Sequence, residues 1–151
     1  MSTTIIRGVL LVLALLVVAV GFMRFNQVSL PEGAVPVVWD REVCGHCKMH
    51  VGDPRFAAQL QTAEGDVVNF DDPGCLFDYL ESHRGAIHAL YFRDHLGDAW
   101  LSESEVGFLP VEESPMGYGI GAVPRGTPEA RGIDWAKARV RERPHQARGG
   151  R

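Results

Sequence analysis

Asp66-Val67-Val68-Asn69-Phe70-Asp71-Asp72-Pro73-Gly74-Cys75-Leu76-Phe77-Asp78-Tyr79-Leu80 is the stretch that decides the fold. Its first five residues carry two valines and a phenylalanine, which suit a half-buried strand. The rest carries helix-start signals. Asp72 can accept from the free N–H groups of a first turn, and Pro73 suits the first helical position, where its missing N–H costs nothing. Leu76, Phe77 and Leu80 then share one apolar face. A strand that runs straight into a capped helix is the nucleus from which the rest can be read. Upstream, Phe56 to Thr62 reads as its hairpin partner around Ala63-Glu64-Gly65, and Val35 to Glu42, with three valines and Trp39, reads as a further strand. Downstream, Gly85 ends the helix and Ala86 to Arg93 reads as a third clear strand. Ala99 to Leu101 and Val106 to Leu109 read as short strands, Ser114 to Gly121 as a glycine-rich loop, and Trp135 to Arg143 as a last helix capped by Asp134. This order of strand, β-hairpin, helix and strand predicts a small α+β domain.

The flanks have a different character. Gly8 to Met23 is a run of sixteen residues without a charge. With Ile5 and Ile6 it approaches the ~20 apolar residues that span a bilayer. The expectation is an uncleaved N-terminal transmembrane anchor over residues 1–24, with the domain on the outer side of the cytoplasmic membrane, in the periplasm or its equivalent; a cleaved signal peptide is the alternative. Residues 25–34 then form a linker, 35–124 the domain, and 125–151 a basic extension with a short helix. Charge is split accordingly. Phe25 to Pro124 carries 16 acidic and 5 basic residues, whereas Arg125 to Arg151 carries 8 basic and 3 acidic. So acidic a body argues against nucleic acid as a partner.

Three cysteines are too few for a disulfide scaffold. Two of them stand in Cys44-Gly45-His46-Cys47-Lys48-Met49, where two thiols and a thioether fall within six residues. Thiolate and thioether are soft donors and select Cu(I) over harder ions. A structural zinc site wants four cysteine or histidine ligands, and only Cys75 remains after this pair. Covalent haem would want histidine, not Lys48, after the second cysteine. Cys75, in the first turn of the Asp72-capped helix, is a further candidate ligand whose position favours thiolate. Met116, in Ser114-Pro115-Met116-Gly117-Tyr118-Gly119, is displayed between a proline that stiffens the loop and glycines that free it. His46 and His50 are possible nitrogen donors. The candidate metal ligands are thus Cys44, Cys47, Met49, Met116 and Cys75, with no catalytic residue assigned. Two other readings stand beside this one. Cys44-Gly45-His46-Cys47 also has the spacing of a thiol–disulfide oxidoreductase, although Asp53-Pro54 leaves no room for the long helix that such a site opens. A tethered interaction domain would need neither metal nor thiol chemistry.

Three ordered blocks carry a resemblance. They are Cys44 to Met49, then Val68-Asn69-Phe70-Asp71-Asp72-Pro73-Gly74-Cys75, then Ser114 to Gly119. Over about Val35 to Val123 the chain resembles the nitrous oxide reductase accessory protein family, NosL. The resemblance implies a small α+β copper chaperone outside the cytoplasmic membrane. Such a protein is not an enzyme; it hands Cu(I) to the machinery that matures a cuproenzyme, nitrous oxide reductase. Cys47 and Met49 match the family's leading ligand candidates, and Met116 matches the methionine of its glycine-rich block. The family often has glycine immediately before the first-block methionine, where this chain has Lys48. Many members are lipoproteins, whereas a transmembrane tether is expected here.

Overall fold

The computed structural model describes residues 3–25 and 29–143, with side chains described over 6–22 and 29–143. It is a mixed α+β fold with helices α1 (Thr3–Phe25), α2 (Pro73–Ser82) and α3 (Ile133–Arg141), and strands β1 (Ala58–Thr62), β2 (Val67–Phe70), β3 (Ile87–Arg93), β4 (Trp100–Ser102), β5 (Val106–Pro110) and β6 (Ile120–Pro124). Strands β2-β1-β3-β4 form one antiparallel sheet, and β5-β6 form a second, two-stranded one. Along α1, the described side chains from Ile6 to Phe22 are exposed. Among the described residues no helix is long and apolar enough to cross a membrane, so the expected transmembrane anchor is not borne out there.

The core forms where α2 lies on the sheet. Leu76 and Phe77 of α2 are buried with Leu60 and Phe70 of the β1–β2 hairpin. Phe77, Phe92 and Phe108 make a ring cluster that joins α2, β3 and β5, with centroids 5.2 to 5.6 Å apart and two of the three pairs edge-on. Such tilted contacts are worth about 0.5–1.5 kcal/mol each beyond their area. Helix α3 packs on α2 and β5 and buries Ala136 and Val140, so the core reaches well beyond residue 124.

The expected strand at Val35 to Glu42 is not one. Strand β1 is buried on both faces, and its second face carries Gln59 and Gln61, both fully buried. Gln59 accepts from the Val35 N–H (2.8 Å) and donates to the Val35 carbonyl (2.9 Å), while Gln61 donates to the carbonyl of Gly33 (2.8 Å). Side-chain amides thus satisfy the backbone that a neighbouring strand would otherwise have paired, and residues 33–35 lie across the face of the sheet instead of joining its edge. Two other expectations shift. Helix α3 starts two residues early, with Gly132 at the cap; Asp134 sits inside the first turn, where its charge meets the positive end of the helix. Strand β6 begins inside the stretch read as a glycine-rich loop, taking its last two residues, Ile120 and Gly121. It needs small residues because a Cβ on Gly121 would stand 2.9 Å from Val111 Cγ1 and 3.1 Å from the His95 ring.

Candidate metal centre

The Cys44–Met49 loop is closed at its base. Val43 and His50 form an antiparallel bridge, Cys44 N–H donates to the Met49 carbonyl (2.8 Å), and Val51 N–H donates to Glu42 (2.9 Å). Gly45 N–H donates to the Asn69 carbonyl (2.9 Å), which lays the loop flat on β2. Only glycine allows that approach, since a Cβ there would lie 2.3 Å from Val68 Cγ1. Lys48 completes the turn at φ 66, in the left-handed region, and its Nζ donates back to the Gly45 carbonyl (2.7 Å). Glycine adopts that region without strain, so it would serve at this position as well as lysine. Replacing Lys48 by valine should therefore cost about 1–3 kcal/mol, because β-branched residues fit that region badly, while Lys48→Gly should stay within about 1 kcal/mol of the parent. Urea denaturation of the three proteins reads the difference directly.

Helix α2 delivers the third thiol. Asp72 caps it by accepting from Gly74 N–H (2.8 Å), with Pro73 next, as expected from the sequence. This puts Cys75 in the first turn. The Sγ atoms of Cys44, Cys47 and Cys75 all lie within 4.8 Å of one another, and none is in a disulfide. Cys44 and Cys75 are fully buried, while Cys47 is half-buried and forms the accessible side. Among the described residues no histidine or carboxylate joins this group. Two surface hollows of about 500 Å³ lie elsewhere, against β3–β4 and around His95, and neither is lined by a cysteine.

The electrostatics single out one sulfur. The Cys44 thiol is lowered to about 5, chiefly because Cys75 donates its S–H to it; backbone N–H groups of Asp71, Cys47 and His46 add to this, and burial opposes it. Cys75 is pushed up by that same hydrogen bond, then by burial and by the charge of Cys44. Burial pushes Cys47 up. The helix start was expected to favour thiolate at Cys75. Instead it is the Cys44 thiol that is lowered, since the neighbouring Cys75 S–H favours its anion, while the same interaction and burial push Cys75 up.

The methionines are placed by their backbones. Met49 ends the loop with its side chain 59% exposed. Met116 is half-buried against the core, and its loop is strapped to α2 through Asp72, which accepts from Ser114 Oγ (2.6 Å) and Met116 N–H (3.1 Å). Burial raises the Asp72 carboxyl, while these donors pull it the other way. His46 stands 3.6 Å from Asp78, which also accepts from the Tyr118 hydroxyl (3.0 Å). His50 is exposed.

Two supporting residues were not foreseen. Asp78, one turn beyond Cys75, ties the loop of Cys44 and Cys47 to that of Met116. Arg143 donates to the Met116 carbonyl (3.0 Å) and covers the Tyr118 ring at 4.2 Å. Spacing from Cys75 could have flagged the first, whereas Arg143 was hidden in a basic tail read as separate. Comparison with known proteins found no matching family model, no matching curated protein and no matching solved structure.

Proposed function

We propose that this chain is a tethered extracytoplasmic carrier of Cu(I), not an enzyme, and that it passes its cargo to the machinery maturing a cuproenzyme, with nitrous oxide reductase the expected client. The observation that carries this reading is the mutual approach of three sulfurs from two separate segments. Thiolates favour a soft monovalent ion, and three donors fall short of the four that structural zinc takes. Low coordination leaves a side open, so an incoming ligand from a receiver can bind before a donor sulfur leaves. Half-buried Cys47 is the most accessible of the three sulfurs and faces that side. The NosL-like blocks support the same reading, and the apolar run Gly8 to Met23 motivates the tether to the cytoplasmic membrane.

The test is a competition. The reduced domain is titrated with Cu(I) and with Zn(II) against a chelator that binds both. Retention of Cu(I) at one equivalent is expected; tighter retention of Zn(II) would overturn the assignment of the metal.

A second reading has one observation in its favour. A lowered Cys44 thiol is what a thiol–disulfide oxidoreductase needs. Yet Cys44 is fully buried, and the accessible Cys47 is the thiol that is raised. Reactive cysteines combine low pKa with access, and here the two properties fall on different residues. No reduction of insulin disulfides is expected.

A further inference from the structure

We infer that the cluster of Cys44, Cys47 and Cys75 also binds trivalent arsenic, offered as arsenite, with all three sulfurs on one arsenic atom. This rests on the three-thiol geometry and does not depend on the copper reading. Arsenic(III) forms three bonds to thiolate sulfur and keeps a lone pair at the apex, so its full complement is three sulfurs on one side. The site supplies that complement. Its sulfurs lie within 4.8 Å of one another, and among the described residues no histidine or carboxylate completes a four-ligand shell. All three are free of disulfides, and the cluster is walled off around Cys44 and Cys75 but open at Cys47. An apical lone pair would occupy the open side, where a tetrahedral ion would need a fourth donor. The loop base at Val43 and His50 and the Asp72-capped helix hold the sulfurs together before any ligand arrives, so little ordering is left to oppose binding.

The reaction balances without a change of oxidation state. One As(OH)₃ and the three cysteines in their thiol form give one As(S–Cys)₃ and three waters; where Cys44 is already ionised, solvent supplies the third proton. Three As–O bonds break, three As–S bonds form, and each departing hydroxyl takes up one proton to become water.

Two probes separate three-sulfur from two-sulfur binding. Arsenite needs three thiols for its full affinity, whereas phenylarsine oxide, which already carries one As–C bond, needs two. With the full, reduced chain, one arsenite per chain should protect three thiols from a maleimide reagent, as counted by mass spectrometry. Serine substitution at Cys44, Cys47 or Cys75 should each weaken arsenite by about a hundredfold or more, the loss expected when one arm of a multidentate grip is removed. Cys47→Ser, at the half-buried position, should still bind phenylarsine oxide, which shows that the remaining pair is folded and competent. The inference is overturned if arsenite protects two thiols or none, or if Cys47→Ser binds arsenite as tightly as the parent. Cu(I) retained without arsenite binding would sink this inference alone. Arsenite bound by a protein that releases Cu(I) to a weak chelator would support it and sink the copper reading.

Discussion

Cys75→Ser should fail to retain added Cu(I) at chelator strengths the parent withstands. Cys75 is the only one of the three thiols that comes from outside the Cys44–Met49 loop, so its loss reduces the cluster to a pair four positions from end to end. Loss of groups that merely support a metal ligand costs 10–100-fold in affinity, and a direct ligand should exceed that, giving a drop of at least ~100-fold. Serine is close in size and its hydroxyl can still donate to the Cys44 sulfur, so the fold should survive. Chelator competition supplies the affinity and a thermal melt of the same sample checks the fold. Met49→Leu and Met116→Leu, made in parallel, should weaken retention by less. A Cys75→Ser protein with unchanged copper affinity and an unchanged melt would move the metal out of the cluster.

Gly74→Ala should be the most destabilising single methyl in the described chain. A Cβ at Gly74 would sit 2.0 Å from Tyr118 Cγ and 2.4 Å from both neighbouring ring carbons. The ring has no room to retreat, because the Arg143 guanidinium covers it at 4.2 Å and its hydroxyl is held by Asp78. The helix start has none either, being pinned by the Asp72 cap. Ordinary overpacking costs about 1–3 kcal/mol, and a clash with an aromatic ring and a capped backbone should reach or pass the top of that range. For a domain of this size the melting temperature should fall by roughly 10 °C. Because the cause is one pair of groups, a double-mutant cycle identifies it: on a Tyr118→Ala background the cost of Gly74→Ala should shrink by at least ~1 kcal/mol. A Gly74→Ala melt within a degree of the parent would mean that the Met116 loop is not packed on α2 as described.

The parts of the fold that local chemistry dictates were legible in the sequence. Asp72 and Pro73 mark a helix start through their own side chains, and the β1–β2 hairpin announces itself by strand-forming residues around a glycine turn, although Phe56, read as its first residue, instead closes a short 3-10 helix over Pro54–Phe56. The failures are of another kind. Val35 to Glu42 has strand composition, but Val35 is held by the buried Gln59 amide more than twenty residues away, and the chain then turns where the Arg41 and Glu42 N–H groups donate to the Val38 carbonyl; no local pattern reveals the first of these. The start of β6 was masked by Gly121, whose small size answers to Val111 and His95 across the fold, and by Gly119 just before it, whose φ of 65 marks a left-handed bend. At the site, the identity of the sulfurs was readable from residue type alone. That Cys75 would meet Cys44 and Cys47 depends on Gly45 lying flat against β2, which is a tertiary fact. The same packing lowers the Cys44 thiol and raises that of Cys75 at the helix start, which a helix-end argument alone does not give.

Gln59 and Gln61 of β1 bear on how far the domain could stand from the proposed tether. They stitch the chain down from Gly33 onward, so the span between the end of α1 and the first stitch is only the eight peptide units from Phe25 to Gly33. Fully drawn out, a leash of that length reaches at most ~30 Å. If α1 is lodged in a lipid bilayer, as proposed, the point of attachment at Gly33 stays within that distance of the membrane surface. A receiver would then have to be a neighbour on the same membrane or come down to it, and lengthening the leash with glycine and serine should widen the set of receivers that can be served.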